Sequence, residues 1–237
     1  MILMKRRIYL DNASTTPIHT EIVEMMSDMM RSNFANPSSV HSFGRESKII
    51  VESARKEIAG MLNTSPGSIF FTSGGTEADN MAIRCGIQDY TIKHVITSRI
   101  SHHAVLYPIQ DLENNGIIKV SYIDIDKDGV VSLSHLKELL VDNPRTFVSI
   151  MHANNEIGTI QDLKKIGDIC KEYDAILHSD TVQTIGHYPF NMKELNVHFI
   201  AASAHKFHGP KGVGFIYISE NIKINPLLRG GGQERNM

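Results

Sequence analysis

Seven short apolar runs, near residues 69–72, 94–98, 118–123, 147–151, 175–179, 198–202 and 213–218, recur along the chain with helically spaced segments between most of them. Runs of this length read as buried strands. Strands alternating with helices imply an α/β fold, a mainly parallel seven-stranded sheet with helices on both faces. Helical spacing is clearest over 21–30, 45–62, 77–90 and 162–172. The last two runs are closely spaced and leave room for an antiparallel strand. Open sheets of this kind bind ligands at the trailing ends of their strands, so the residues that follow each run are where function is to be sought.

After the run Phe199, Ile200, Ala201, Ala202 come Ser203, Ala204, His205 and Lys206. An ammonium at the end of a buried strand must be paired, displaced in pKa or used covalently. A snorkelling or salt-bridged lysine is the ordinary reading; a desolvated amine that condenses with a carbonyl cofactor is the chemical one. The second reading needs further groups for pyridoxal phosphate (PLP): an acid for the ring nitrogen, a flat group to stack on the ring, donors for the phenolic oxygen and a phosphate cradle.

Candidates for each group follow other runs. Asp180 ends the run that begins at Ala175, and would otherwise be an N-cap; Gln183 lies three residues on. Ser73, Gly74, Gly75 and Thr76 form a glycine turn into a helix, whose exposed amides and dipole suit a phosphate, although Thr76 also reads as a plain N-cap. His102 follows the run at 94–98 and is by type a cap or surface residue as readily as a stacking group. Asn154 and Asn155 follow the run at 147–151 and have the look of a turn.

Six blocks occur in the order found in cysteine desulfurases: Tyr9-Leu10-Asp11-Asn12-Ala13-Ser14-Thr15-Thr16-Pro17, Asn36-Pro37-Ser38-Ser39-Val40-His41, 73–80, 152–158, 203–212 and Gly230-Gly231-Gly232-Gln233-Glu234-Arg235. The chain resembles this family, PLP enzymes of aminotransferase class V, and the NifS/IscS type more than the SufS type. The resemblance implies the large domain of the type I PLP-dependent transferase fold, and an enzyme that converts L-cysteine to L-alanine while passing sulfur on as a persulfide. Such transferases feed iron–sulfur cluster assembly and other sulfur-containing cofactors or tRNA, as cytoplasmic homodimers that deliver to an acceptor or scaffold protein. Another class V enzyme for a small amino acid, or a PLP-free dimerisation module, are the alternatives.

Position by position, the resemblance implies that Lys206 carries the cofactor and moves the substrate's alpha proton. His102 stacks on the ring and joins in acid–base steps, and Asp180 pairs with the ring nitrogen, which makes these three the catalytic set. Asn155 and Gln183 contact the phenolic oxygen, Asn155 also lies near the substrate carboxylate, and Gly75, Thr76, Ser203 and His205 hold the phosphate. Ala204 stands where the family has glycine, which would strain a turn needing positive φ; Ser179 and Thr181 flank the acid where Val and Ala are common. In the family the last block leads to a threonine that reaches the neighbouring subunit's phosphate, and then to a small domain with the sulfur-accepting loop cysteine and a carboxylate-binding arginine. The expectation is therefore an N-terminal segment, 1–15, and a PLP-binding large domain, 16–237, incomplete at its C-terminus and without the small domain, so that this chain is an inactive or incomplete fragment.

Cys85 and Cys170 are the two cysteines, each on a helix-like stretch at a position suited to packing. They form no disulfide framework, in keeping with a reducing cytoplasm. With 41% hydrophobic and 21% charged residues the chain can build a substantial core, and a net charge of −2 gives no case for nucleic acid or an anionic membrane. The start, Met1 to Arg7, has its basic residues after a short apolar piece, the wrong order for a secretory signal. Asp124, Asp126, Asp128 and Gly129 match half of a calcium loop, but His135 stands where a glutamate is needed, so a turn is expected and no metal site.

Overall fold

The computed structural model describes residues 7–143 and 145–237; the expectation drawn from the basic start of the chain rests on residues 1–6 and lies largely outside the described residues. Among these the chain forms, in order, α1 (Thr20–Ser32), α2 (Ser42–Met61), β1 (Ile69–Thr72), α3 (Gly75–Asp89), β2 (His94–Thr97), α4 (His103–Asn114), β3 (Lys119–Tyr122), α5 (Leu133–Val141), β4 (Thr146–Ser149), α6 (Leu163–Glu172), β5 (Ile176–Asp180), β6 (Phe199–Ser203) and β7 (Gly214–Ile218). Each of the seven apolar runs is a strand, trimmed or shifted by a residue or two. All join one sheet in the order β1-β7-β6-β5-β4-β2-β3. Strands β2 to β6 pair in parallel, whereas β7 is antiparallel to both β6 and β1. The short stretch between β6 and β7 cannot hold a crossover helix, so the chain turns back directly.

Alternation along the strands divides the core. Ile200 and Ala202 of β6 join the cluster that takes Ala59 from α2, Leu136 and Leu140 from α5, and Ile166 and Cys170 from α6. Phe199 and Ala201 point the other way, to Ala78 and Met81 of α3 and Val105 and Ile109 of α4. Burial of a side chain such as Ile200, 0% exposed, is worth roughly 1.5–3 kcal/mol. Helix α1 has no buried residue, and no helix among the described residues is long and apolar enough to cross a membrane.

Strand β5 is buried at all five positions although it carries His178, Ser179 and Asp180. Buried hydroxyls need partners, and the two unusual ones find them on neighbouring strands: Ser179 donates to the Ile150 carbonyl and Thr181 to the Ala201 carbonyl, both at 2.8 Å. The departures from Val and Ala thus add cross-strand bonds beside the acid. The turn at Asp124 to Gly129 is closed by its own bonds, Asp126 Oδ1 accepting the amides of Asp128 and Val130 at 2.9 Å.

The Gly230-to-Arg235 block folds back on the antiparallel edge. Arg55 of α2, 1% exposed, makes two 3.0 Å bonds to Glu234 and one of 2.6 Å to the Ile69 carbonyl. Glu234 also accepts the Phe71 amide at 2.8 Å. Arg55 Nε also lies 3.1 Å from Glu52, and both carboxylates keep about a quarter of their side chains exposed, so removing the arginine leaves partly solvated charges unpaired. Arg55→Met is therefore expected to lower unfolding free energy in urea by about 1–3 kcal/mol, and the double variant with Glu234→Met by less than the sum of the two single variants.

Candidate functional site

At the start of α3 the glycine turn does two jobs. Gly74 has φ 151°, in the region that favours glycine. A Cβ on Gly75 would lie 2.5 Å from Val182 Cγ2, so only glycine lets the helix start approach the end of β5 this closely. The N-cap is Gly74, which corrects the reading of Thr76 as the cap. Thr76 stands in the first turn with its hydroxyl free of capping duty. Glu77 reaches back to accept the Ser73 amide at 2.8 Å and so fixes the turn.

Asp180, 5% exposed, accepts the Val182 amide at 3.0 Å, so it does organise a local turn. No lysine or arginine bonds to it among the described residues. Burial, reinforced by the charge of Asp79, pushes its carboxyl up to about 7, against the Val182 amide, His178 and His102. Two residues back on the same face of β5, His178 Nε2 lies 3.1 Å from Asp79 Oδ1 and Nδ1 lies 2.9 Å from Ser149 Oγ. Burial holds Asp79 well above the usual carboxylate range and His178 down near 4.

His102 is the N-cap of α4: its Nδ1 accepts the Ala104 amide at 3.1 Å, which leaves the proton on Nε2. Asn154 and Asn155 divide the work of their turn. Asn154 is buried and accepts the amides of Glu156 and Ile157, while Asn155 is left to face the cavity. Lys206 lies in a short 3-10 turn, Ala204–Lys206, half-buried. Burial lowers its pKa, opposed by Asp180 and Asp11. Its Nζ donates to the Ala13 carbonyl, which Gln183 Nε2 also reaches at 2.9 Å. Ala204 is not among the residues of positive φ, so the strain expected from replacing glycine there is absent. The tight spot is Gly209, where a Cβ would meet that of Ala204 at 2.7 Å.

These side chains converge on a cavity of about 450 Å³, a size that suits a small cofactor. Its wall includes Lys206, His102, Asp180, Asn155, Gln183, Gly75, Thr76, Ser203 and His205, all nine residues named from the sequence. It also includes Asp11, Ala13, Ser14 and Asp79, which sequence reasoning did not place there. For Asp79 a signal existed, since it lies three residues after Thr76 on one helix face. For the N-terminal residues the block Tyr9 to Pro17 marked the segment, but nothing local to it said that long-range folding brings it across the sheet end. The donor set fits PLP: amides at a helix start for a phosphate, a buried carboxylate lacking a cation, and a partly desolvated amine.

Neither cysteine belongs to this cavity. Cys170 is 0% and Cys85 8% exposed, and burial pushes their thiols up to about 12 and about 11. Both are packing residues rather than thiolate nucleophiles.

The sequence matches the aminotransferase class V family over residues 8–237. Cysteine desulfurase IscS of Dictyoglomus turgidum is 48% identical over 236 residues, 98% of this chain and 59% of that protein. Cysteine desulfurase IscS of Methanosarcina thermophila is 48% identical over 233 residues, covering 97% of this chain and 57% of its own. Among solved structures, a NifS-like protein has a TM-score of 0.93 at 41% identity, matching 98% of this chain and 64% of the other. SspA in complex with cysteine has a TM-score of 0.92 at 33% identity, matching 97% and 67%. The chain thus spans a little under three fifths of the length of these curated relatives.

Because the folded state holds the Asp180 proton more tightly than the unfolded chain does, stability from this group is full below the usual 3.8 and is lost as pH rises through about 7. Asp180→Asn should therefore raise the Tm of the ligand-free protein at pH 8, with the gain vanishing near pH 4. The displacement from 3.8 to about 7 caps the gain at about 4 kcal/mol. Calorimetry of both proteins across this range checks the sign.

Proposed function

The chain belongs to the aminotransferase class V family, and from that premise we propose that it is the PLP-binding part of a cysteine desulfurase, taking L-cysteine to L-alanine. The observation that carries this reading is the convergence on one cavity of a half-buried amine, Lys206, and a buried carboxylate, Asp180, with the amide-rich start of α3. The names of the similar proteins and the cysteine in the SspA structure support the choice of substrate.

Lys206 would hold PLP covalently. Gly75, Thr76, Ser203 and His205 would take its phosphate, with His205 acting as a neutral donor because burial and the charges of Lys206 and Lys211 lower its pKa. His102 would cover the ring, and Asn155 and Gln183 would meet the phenolic oxygen. When bound, the cofactor supplies an electron sink for the substrate's alpha carbon. Asp180 keeps the ring nitrogen protonated, and a positive charge there would return its own carboxyl toward the usual range. Once the substrate's amine has displaced it from the cofactor, Lys206 Nζ would be free to take the proton from Cα, and Asn155 would orient the substrate carboxylate. Sulfur leaves as a persulfide on an accepting thiolate, which then carries the extra sulfur atom while alanine is released. Cys85 and Cys170 do not supply that thiolate. Delivery to an acceptor protein for iron–sulfur clusters or other sulfur-containing products, in a cytoplasmic homodimer, completes the proposal.

Borohydride reduction of PLP-loaded protein followed by peptide mapping is expected to find the cofactor on Lys206; attachment at Lys211 or elsewhere would sink the assignment. Lys206→Ala should lose the covalent link and keep its circular dichroism. Asp180→Asn should still bind PLP but lose most alpha-proton exchange, since a neutral amide cannot hold a pyridinium charge.

A further inference from the structure

Residues 13–19 run as a strap against the loop that carries Lys206. Thr16, 8% exposed, makes the central contacts: its amide and its hydroxyl donate to the His205 carbonyl at 2.8 and 2.9 Å, and its hydroxyl accepts the His208 amide at 2.7 Å. One hydroxyl therefore spans Lys206, bonded to the residue before it and to the residue two after it. His208 has φ 66°, a left-handed conformation that a non-glycine residue keeps only when its surroundings over-determine it. The strap does this. The His19 amide donates to the His208 carbonyl at 3.1 Å, His208 Nδ1 donates to the Pro17 carbonyl at 3.0 Å, and the two imidazoles lie 4.3 Å apart. On the other side His187 Nε2 donates to the Lys206 carbonyl at 3.0 Å.

We propose that Thr16 is the positioning residue for Lys206: its hydroxyl locks the left-handed turn after the lysine and so aims the amine into the cavity. The inference rests on the reading of Lys206 as the PLP-bearing residue. Thr16 itself does not line the cavity, so its effect on the amine passes through the backbone of the 205–208 loop. In Thr16→Val the shape is kept, but the part-buried His208 amide loses its acceptor. That loss frees the turn and lets the amine reach solvent.

The test compares the parent with Thr16→Val, Thr16→Ala and Thr16→Ser. PLP affinity is read by equilibrium dialysis, and covalent attachment by the pH midpoint of its visible absorbance. Loss of one part-buried bond of this kind predicts PLP binding weakened about tenfold in Thr16→Val, with a higher pH midpoint for attachment because a better-solvated amine is more basic. Thr16→Ser, which keeps the hydroxyl, should match the parent within about threefold. A Thr16→Val protein with parental affinity and midpoint, even at a lowered Tm, would show Thr16 to be merely structural and overturn the proposal. If Thr16→Val does not fold, Thr16→Ala decides: an about tenfold loss with the higher midpoint upholds the clamp, parental values overturn it, and an about tenfold loss in Thr16→Ser would overturn it by assigning the effect to the methyl group. Mapping of PLP in the parent to a residue other than Lys206 refutes the premise instead, and leaves the two failures distinct.

Discussion

A carboxylate at the end of a fully buried strand, with no lysine or arginine bonded to it among the described residues, is the constraint around which the rest of the site is arranged. Asp180 cannot be ionised cheaply where it stands, because desolvation and Asp79 both oppose its charge. Such a group is stable only as a neutral acid or opposite a positive charge. In the proposed reading a protonated ring nitrogen would supply that charge, and the elements around β5 leave a cavity beside the acid. Asp79 and His178 behind the acid, with Ser149 beyond, form a hydrogen-bonded chain in which a proton can sit on either side of the Asp79–His178 contact. The low dielectric that raises Asp180 therefore also neutralises its neighbours.

Around that acid, close backbone approach is achieved by glycine where nothing else fits and by overlapping bonds where glycine is not used. Gly74 and Gly75 bring the start of α3 against β5 and β6. The loop after Lys206 takes the second route, with His208 held left-handed by the strap. The two solutions differ in consequence. A glycine turn is locally encoded, whereas the His208 turn is correct only after residues some 190 positions away in sequence have docked.

Several site residues also carry ordinary structural duties. His102 caps α4 through Nδ1 and also lines the cavity. Asp180 bonds the Val182 amide through one oxygen. Capping fixes a side chain's rotamer, so the duty that makes a residue look bland in sequence is the one that orients it for chemistry. The structural reading of these residues is what the bonds show, and it leaves each of them free for the role proposed for it.

Local pattern by itself determined the sheet. The seven apolar runs are long enough for strands and most are separated by helical spacing, which favours a mainly parallel sheet, and the short link before β7 left room for it to turn back. Because ligands sit at the trailing ends of such strands, Asp180, His102, Lys206 and the Asn154–Asn155 pair could be marked as candidates from position and type, whereas the choice of Asn155 and the role of each came from the family resemblance. Strand order, the pairing of Asp79 with His178, the docking of Glu234 on Arg55 and the crossing of the Thr16 strap over the lysine loop were decided by tertiary structure. Each joins residues far apart in the chain, and a one-dimensional pattern records which face a residue takes but not which distant residue meets it there.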